Sequence, residues 1–268
     1  MNGITKTFEA LKADENGALI GYVVAGDPKP ELTPSIAEAL INGGIDVLEL
    51  GLPFSDPIAD GPTIQAASAR ALVAGTTPKT VLEIAKAIKK KHDVPIAVMT
   101  YFNPVFKLGL KTFLAFAENC QVDGTIIPDL PLEEADKYRK VAAARNIATI
   151  FLAAPSTSNE RLAKIVDATS GFLYLVSRFG VTGAKTQVAA STIGLIKRVL
   201  PFTNGKVPLA VGFGVSKPEH VKSVIKAGAD GVIVGSAFVD LINKNRDDEA
   251  RMLREIEETA RGLKQATK

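Results

Sequence analysis

Two carboxylates eleven residues apart, Glu49 and Asp60, are the side chains of this sequence best suited to acid–base chemistry. Glu49 interrupts an apolar run, DVLELG at 46–51, whose aliphatic content is that of a buried strand. Side chains alternate across a strand, so if Val47 points into the protein's centre Glu49 does too, while Leu48 and Leu50 face the other way. A carboxyl surrounded by apolar groups resists ionisation; its pKa rises towards neutrality, which suits it to passing protons in both directions. Asp60 lies in the loop PFSDPIADGPTIQ at 53–65, just before Gly-Pro and a helix start, where an acid can also serve simply to begin a helix. Asp27 and Asp56 sit in comparable turns, and spacing alone does not choose among the three aspartates.

Two further segments have the chemistry of an anion site. VGFGVSKPEH at 211–220 and VGSAFVDLI at 234–242 each end a strand in small residues and begin a helix. Glycines let backbone N–H groups approach an anion, and a helix N-terminus adds a favourable field. A third loop, RFGVTGAK at 178–185, carries Gly180 and Gly183, as a mobile lid would; its Arg178 and Lys185 are either phosphate clamps or solvated charges.

These groups must be held by the chain's main regularity, a short apolar run followed by a turn and a helix-period segment. Eight strands are expected, at 18–25, 46–51, 95–101, 123–128, 148–154, 171–177, 207–214 and 230–237. Amphipathic segments such as 78–92 and 132–146 separate them as helices. Eight parallel units of this kind predict a TIM (β/α)8 barrel in a single domain, 1–268, with an open doubly wound sheet as the alternative. An extra N-terminal helix, ITKTFEALKA at 4–13, is expected to cap the barrel's bottom. In such a barrel chemistry belongs at the C-terminal strand ends, which promotes Glu49, Asp60, Asp129, Tyr174, Gly212 to Ser216, Gly235 and Ser236. Cys120 and His92 precede strands and fall on the opposite face.

Composition narrows the field. With 46% hydrophobic and 23% charged residues the chain can bury a large core, which argues against disorder. A net charge of +3 is dispersed, and the run Lys89 to Lys91 reads as a solvated helix end rather than a nucleic-acid patch. One cysteine rules out an internal disulfide and suits a reducing cytoplasm, the expected location. Neither a secretory leader nor a membrane span is expected. One Cys and two His make metal ligation poor, His220 being expected to be solvated, and none of the eight strands contains a lysine for a Schiff base.

The stretch LELGLPFSDPIADGPTIQ at 48–65 resembles the signature of tryptophan synthase α subunits. GYVVAGDP at 21–28, IPDLP at 127–131, YLVSRFGVTGAK at 174–185, GFGVSKPEHV at 212–221 and GVIVGSA at 231–237 match the same family in order, so the resemblance spans the chain. It implies a lyase of L-tryptophan biosynthesis that cleaves indole-3-glycerol phosphate to indole and D-glyceraldehyde 3-phosphate. By that resemblance Glu49 and Asp60 are the catalytic carboxylates and Tyr174 supports them. Phosphate would meet the backbone N–H groups of Gly183, Phe213, Gly214, Gly235 and Ser236. Thr182 would meet Asp60 as the lid of Arg178, Gly180 and Thr182 closes. The indole pocket would comprise Tyr22, Tyr101, Ile127 and Tyr174. Tyr22 and Met99 stand where better-known bacterial members carry Phe and Leu, and Phe179 is bulkier than their lid residue.

The family also implies that no cofactor belongs to this subunit and that a β subunit using pyridoxal phosphate receives the indole in an α2β2 assembly. Asp129 would sit near that interface. Leu52, Phe54, Val105 and Phe106, in loops 52–57 and 102–109, are apolar candidates for the docking rim. The resemblance and the inventory of residues converge on one chemistry: without a lysine or metal sink, a protonated indole ring can itself accept the electron pair of the breaking carbon–carbon bond. A stand-alone indole-glycerol-phosphate lyase, another phosphate-binding barrel enzyme and a non-catalytic regulatory barrel remain the competing readings.

Overall fold

The computed structural model describes residues 2–176, 190–212 and 214–268. Its strands are β1 (Ala18–Val24), β2 (Val47–Gly51), β3 (Ile96–Met99), β4 (Gly124–Ile126), β5 (Ala148–Ile150), β6 (Leu152–Ala153), β7 (Leu173–Val176), β8 (Leu209–Gly212) and β9 (Gly231–Val234). All pair in parallel, in the order β5-β4-β3-β2-β1-β9-β8-β7-β6. The two ends of that order are consecutive in the chain. β5 pairs with β4 and β6 with β7, so the run expected as one strand at 148–154 closes the ring. Phe151 interrupts that run, leaving two short strands there and nine in all among the described residues. That residue turns its ring outward against the edge of Tyr138 while its carbonyl still accepts from the Tyr174 N–H at 3.0 Å. The architecture is the expected TIM barrel.

Alternation along the strands sorts the core into two layers. Ala18, Ile20, Val47, Ala97, Ile126, Ala148, Ile150, Tyr174, Ala210 and Ile233 form the inner cluster, whereas Leu48, Leu50, Val98 and Leu209 pack outward against helix residues such as Ile36, Leu40, Leu82 and Ile88. The N-terminal helix, Gly3–Ala13, starts where the Asn2 side chain accepts from the Thr5 N–H at 3.0 Å. Its Ile4 and Phe8 enter the inner cluster, with the Phe8 ring 5.7 Å from that of Phe172, and so plug the bottom of the barrel.

Helices run close to the expected spans, with local differences. The segment at 78–92 is helical over Pro78–Lys89, while 132–146 divides into a 3-10 turn, Leu132–Glu134, and a helix, Asp136–Ala143. His220 corrects an expectation: it lies on the inner side of helix Pro218–Lys226 beside Val221 and Val224, and is buried rather than solvated. Additional helices follow β2 and β3, at Pro62–Val73 and Phe102–Leu108. The first is tied to the end of β1 by Arg70, whose guanidinium grips the Asp27 carboxylate through two 2.7 Å bonds. Among the described residues no helix is long and apolar enough to cross a membrane.

Candidate active site

The C-terminal strand ends surround a chamber of about 500 Å³. Glu49, on β2, is not part of that lining, but it faces inward in register with the chamber residue Tyr22 of β1, as the parity with Val47 predicts. Glu49 is 0% exposed, and neither carboxyl oxygen has a hydrogen-bond partner among the described residues. Burial, and secondarily the charge of Asp60, push its pKa up to about 8, so the group holds a proton at neutral pH.

Asp60 belongs to the chamber wall, half-buried in the loop after β2. Its Oδ2 accepts from the Tyr101 hydroxyl at 3.1 Å, and that hydroxyl accepts from the Ala59 N–H at 2.9 Å. Tyr101 is in turn stacked on Phe54 at 5.2 Å between ring centroids. Partial burial raises the Asp60 pKa, and the Tyr101 bond opposes that rise. The site therefore couples a buried, proton-carrying acid to a more accessible carboxylate on the chamber wall, a pairing able to donate, accept and electrostatically stabilise.

The structure separates the three aspartates that spacing left equal. Only Asp60 lines the chamber; Asp27 is buried against Arg70, and Asp56 is exposed with Ser55 donating to it at 2.5 Å. Tyr22 and Tyr174 both line the chamber, and their rings require missing side chains opposite them. A Cβ at Gly51 would collide with Tyr22 Oη, and one at Gly212 would lie 2.7 Å from Tyr174 Oη. Desolvation first, then Glu49 and Asp60, hold both hydroxyls far above the usual tyrosine pKa, so both stay protonated.

On the far wall Gly214, Gly235 and Ser236 line the same chamber, with Gly235 preceding the helix Ser236–Lys244. Gly214 adopts φ +79°, a conformation that favours glycine. Ile127 is placed otherwise than expected: one residue past the inward Ile126, it packs in the outer layer, and Pro128 meets the cavity there. Tyr101 reaches the site through its hydrogen bond to Asp60 and is not part of the chamber lining. Arg178, Phe179, Gly180, Thr182, Gly183, Lys185 and Phe213 lie outside the described residues. Ile64, Leu152 and Thr157 are among the lining residues not anticipated from sequence; Leu152 and Met99 share inward parity with Ile150 and Ala97, a signal sufficient to find them.

Around the rim, Leu52 and Val105 are buried in the outer core and Phe54 is committed to Tyr101, whereas Phe106 is 71% exposed. Ile58, in the Asp60 loop and missed by the sequence reading, is 84% exposed. Asp129 is exposed and accepts from the Phe102 N–H at 2.8 Å, linking the loops after β3 and β4.

A closed parallel barrel with a buried inward-facing carboxyl, a second carboxyl on the wall of its C-terminal chamber and glycines at the helix starts opposite has the parts of a barrel enzyme of the acid–base type. Comparison with known proteins is specific beyond that class. The family model "Tryptophan synthase alpha chain" matches residues 8–268, and this chain belongs to that family. The tryptophan synthase alpha chain of Methanosarcina mazei is 48% identical over 261 residues, covering 97% of this chain and 93% of that protein. A crystal structure of the alpha chain from Legionella pneumophila superposes with a TM-score of 0.91 at 36% identity, over 100% of this chain and 97% of that one. A structure of the tryptophan synthase a2b2 complex from Pyrococcus furiosus gives 0.86 at 42% identity, over 92% of this chain and 98% of its counterpart.

Proposed function

We propose that this chain performs the α reaction of tryptophan biosynthesis, the retro-aldol cleavage of indole-3-glycerol phosphate to indole and D-glyceraldehyde 3-phosphate. The observation that carries this reading is the Glu49 carboxyl, fully buried, without a hydrogen-bond partner among the described residues, protonated at neutral pH and within electrostatic reach of Asp60.

Phosphate bound at the N–H groups of Gly214, Gly235 and Ser236 would anchor one end of the substrate. Glu49 delivers its proton to indole C3, making a cationic indolenine whose ring N–H is stabilised by the Asp60 carboxylate. The Glu49 carboxylate so formed takes the proton of the side-chain hydroxyl. That hydroxyl becomes the aldehyde carbonyl as the carbon–carbon bond breaks, and the bonding pair returns to the ring and restores its aromaticity. Glu49 ends protonated, ready for another cycle. Tyr101 keeps Asp60 in place and favours its ionised form.

The same reading assigns the exposed Ile58 and Phe106 to the docking surface for a β subunit, in an α2β2 assembly like that of the Pyrococcus furiosus protein. Pyridoxal phosphate belongs to that partner, and its chemistry there is to join indole to serine. The pathway's setting is the cytoplasm. Because Ile58 lies two residues from Asp60, docking on this rim would restrain the catalytic loop. The test is indole release from indole-3-glycerol phosphate by the purified chain, alone and with a saturating β subunit. Slow release accelerated by the partner is expected. No indole in either condition would refute the reaction, and equal rates in both would leave a stand-alone lyase.

A further inference from the structure

The position of Tyr22 in the chamber points to a role different from that of an indole-pocket wall. β1 lies between β9, which leads to Gly235 and Ser236, and β2, which carries Glu49. The Tyr22 ring spans this gap. A Cβ at Gly235 would lie 3.0 Å from Tyr22 Cδ1, and a Cβ at Gly51 would strike its hydroxyl, so the ring rests on one strand end and its Oη on the other. Gly51 follows Glu49 by two residues on the same inner face, so the Tyr22 hydroxyl occupies the place of the missing β2 side chain one layer above the carboxyl. The charged and titratable groups that act on it are Asp60, Glu49, Tyr174 and Tyr101, and together with burial they keep it neutral.

This placement has a consequence for a ligand that spans the chamber, and it rests on the functional reading above. A molecule with phosphate at Gly235 and its reacting carbon at Glu49 must cross the end of β1, where the inward side chain is Tyr22. What crosses there is the hydroxylated three-carbon linker, not the ring. We propose that Tyr22 is a specificity-determining residue whose hydroxyl hydrogen-bonds the linker hydroxyls of the substrate. A neutral phenol can both donate to and accept from an alcohol, and a buried site made for an alcohol rejects analogues that lack it.

Tyr22→Phe removes the hydroxyl and keeps the ring. Two ligands are compared: indole-3-glycerol phosphate, and an inhibitor with the same ring and phosphate joined by an unsubstituted propyl chain. The variant should lose roughly fivefold or more in kcat/KM for the substrate, while its affinity for the propyl-linked inhibitor stays within about twofold. Equal weakening of both ligands would make Tyr22 a wall for the ring and overturn the proposal, as would no change in either. In the unvaried protein labelled with 13C at the tyrosine Cζ positions, the Tyr22 signal should move with glycerol 3-phosphate and stay still with propyl phosphate; equal responses would also overturn it. Absence of any indole release by the unvaried chain would instead count against the α reaction itself.

Discussion

Replacing Glu49 by Gln should give a protein whose stability, relative to that of the unvaried chain, rises steadily with pH. The carboxyl titrates near 4.5 in an unfolded chain and at about 8 in the folded one. Between those values the folded protein holds a proton that the unfolded chain has released, so folding stability falls with rising pH. The greatest slope is about 1.4 kcal/mol per pH unit, and the loss is complete only above the folded pKa. Between pH 5 and pH 8 this single group should remove about 3 kcal/mol from the wild-type protein. Glutamine has nearly the same shape and never ionises. Its unpaired amide shifts the stability by an amount that does not vary with pH, so it cancels from the comparison. Urea unfolding of both proteins at pH 5, 6, 7 and 8 measures the effect: the variant's advantage should grow by about 3 kcal/mol across the series. Stability curves that run parallel over this range would mean that Glu49 is hydrated in the folded chain, and the argument for its proton-carrying role would fail.

Asp60→Asn should lose most of the indole-releasing rate, because only Asp60 of the three aspartates lines the chamber, whereas Asp56→Asn should leave the chemistry intact; an active Asp60→Asn enzyme would show that the wrong aspartate has been chosen. Tyr101→Phe deletes the donor that lowers the Asp60 pKa, so the rise of kcat/KM with pH assigned to Asp60 ionisation should move to higher pH; an unshifted profile would remove Tyr101 from the site's electrostatics. Arg70→Met leaves the fully buried Asp27 carboxylate without its partner and should cost about 3 kcal/mol of stability in urea unfolding, part of which a second change, Asp27→Asn, should restore. If the two changes are simply additive, the pair is not the clamp that holds helix Pro62–Val73 to β1.

The barrel and the inward set of Glu49 were legible because a two-residue period records which face each strand residue takes, and Val47 and Glu49 share theirs. The same rule places Ile127 outward, one residue after Ile126, against what the family resemblance implies. Other features depend on contacts between distant segments that no local pattern encodes. Arg70 meets Asp27 across 43 residues and Tyr101 meets Asp60 across 41, and these pairings separate the structural aspartate from the one in the chamber. The burial of His220 escaped notice because its lysine neighbours, Lys217 and Lys222, suggested a solvated helix, although it adjoins Val221 on the face turned to the core. The rim is legible in part: Phe106 is exposed, but Leu52 and Val105 are consumed by the outer core, and the exposed Ile58 follows from no local pattern.

The most direct test of the central claim is the rate of indole release by Glu49→Gln, measured alone and with the β subunit beside the unvaried chain. If Glu49 carries the proton between the side-chain hydroxyl and indole C3, the variant should remain folded and lose at least ~10²-fold in turnover under both conditions. A folded Glu49→Gln protein that releases indole at a near-normal rate would contradict the account.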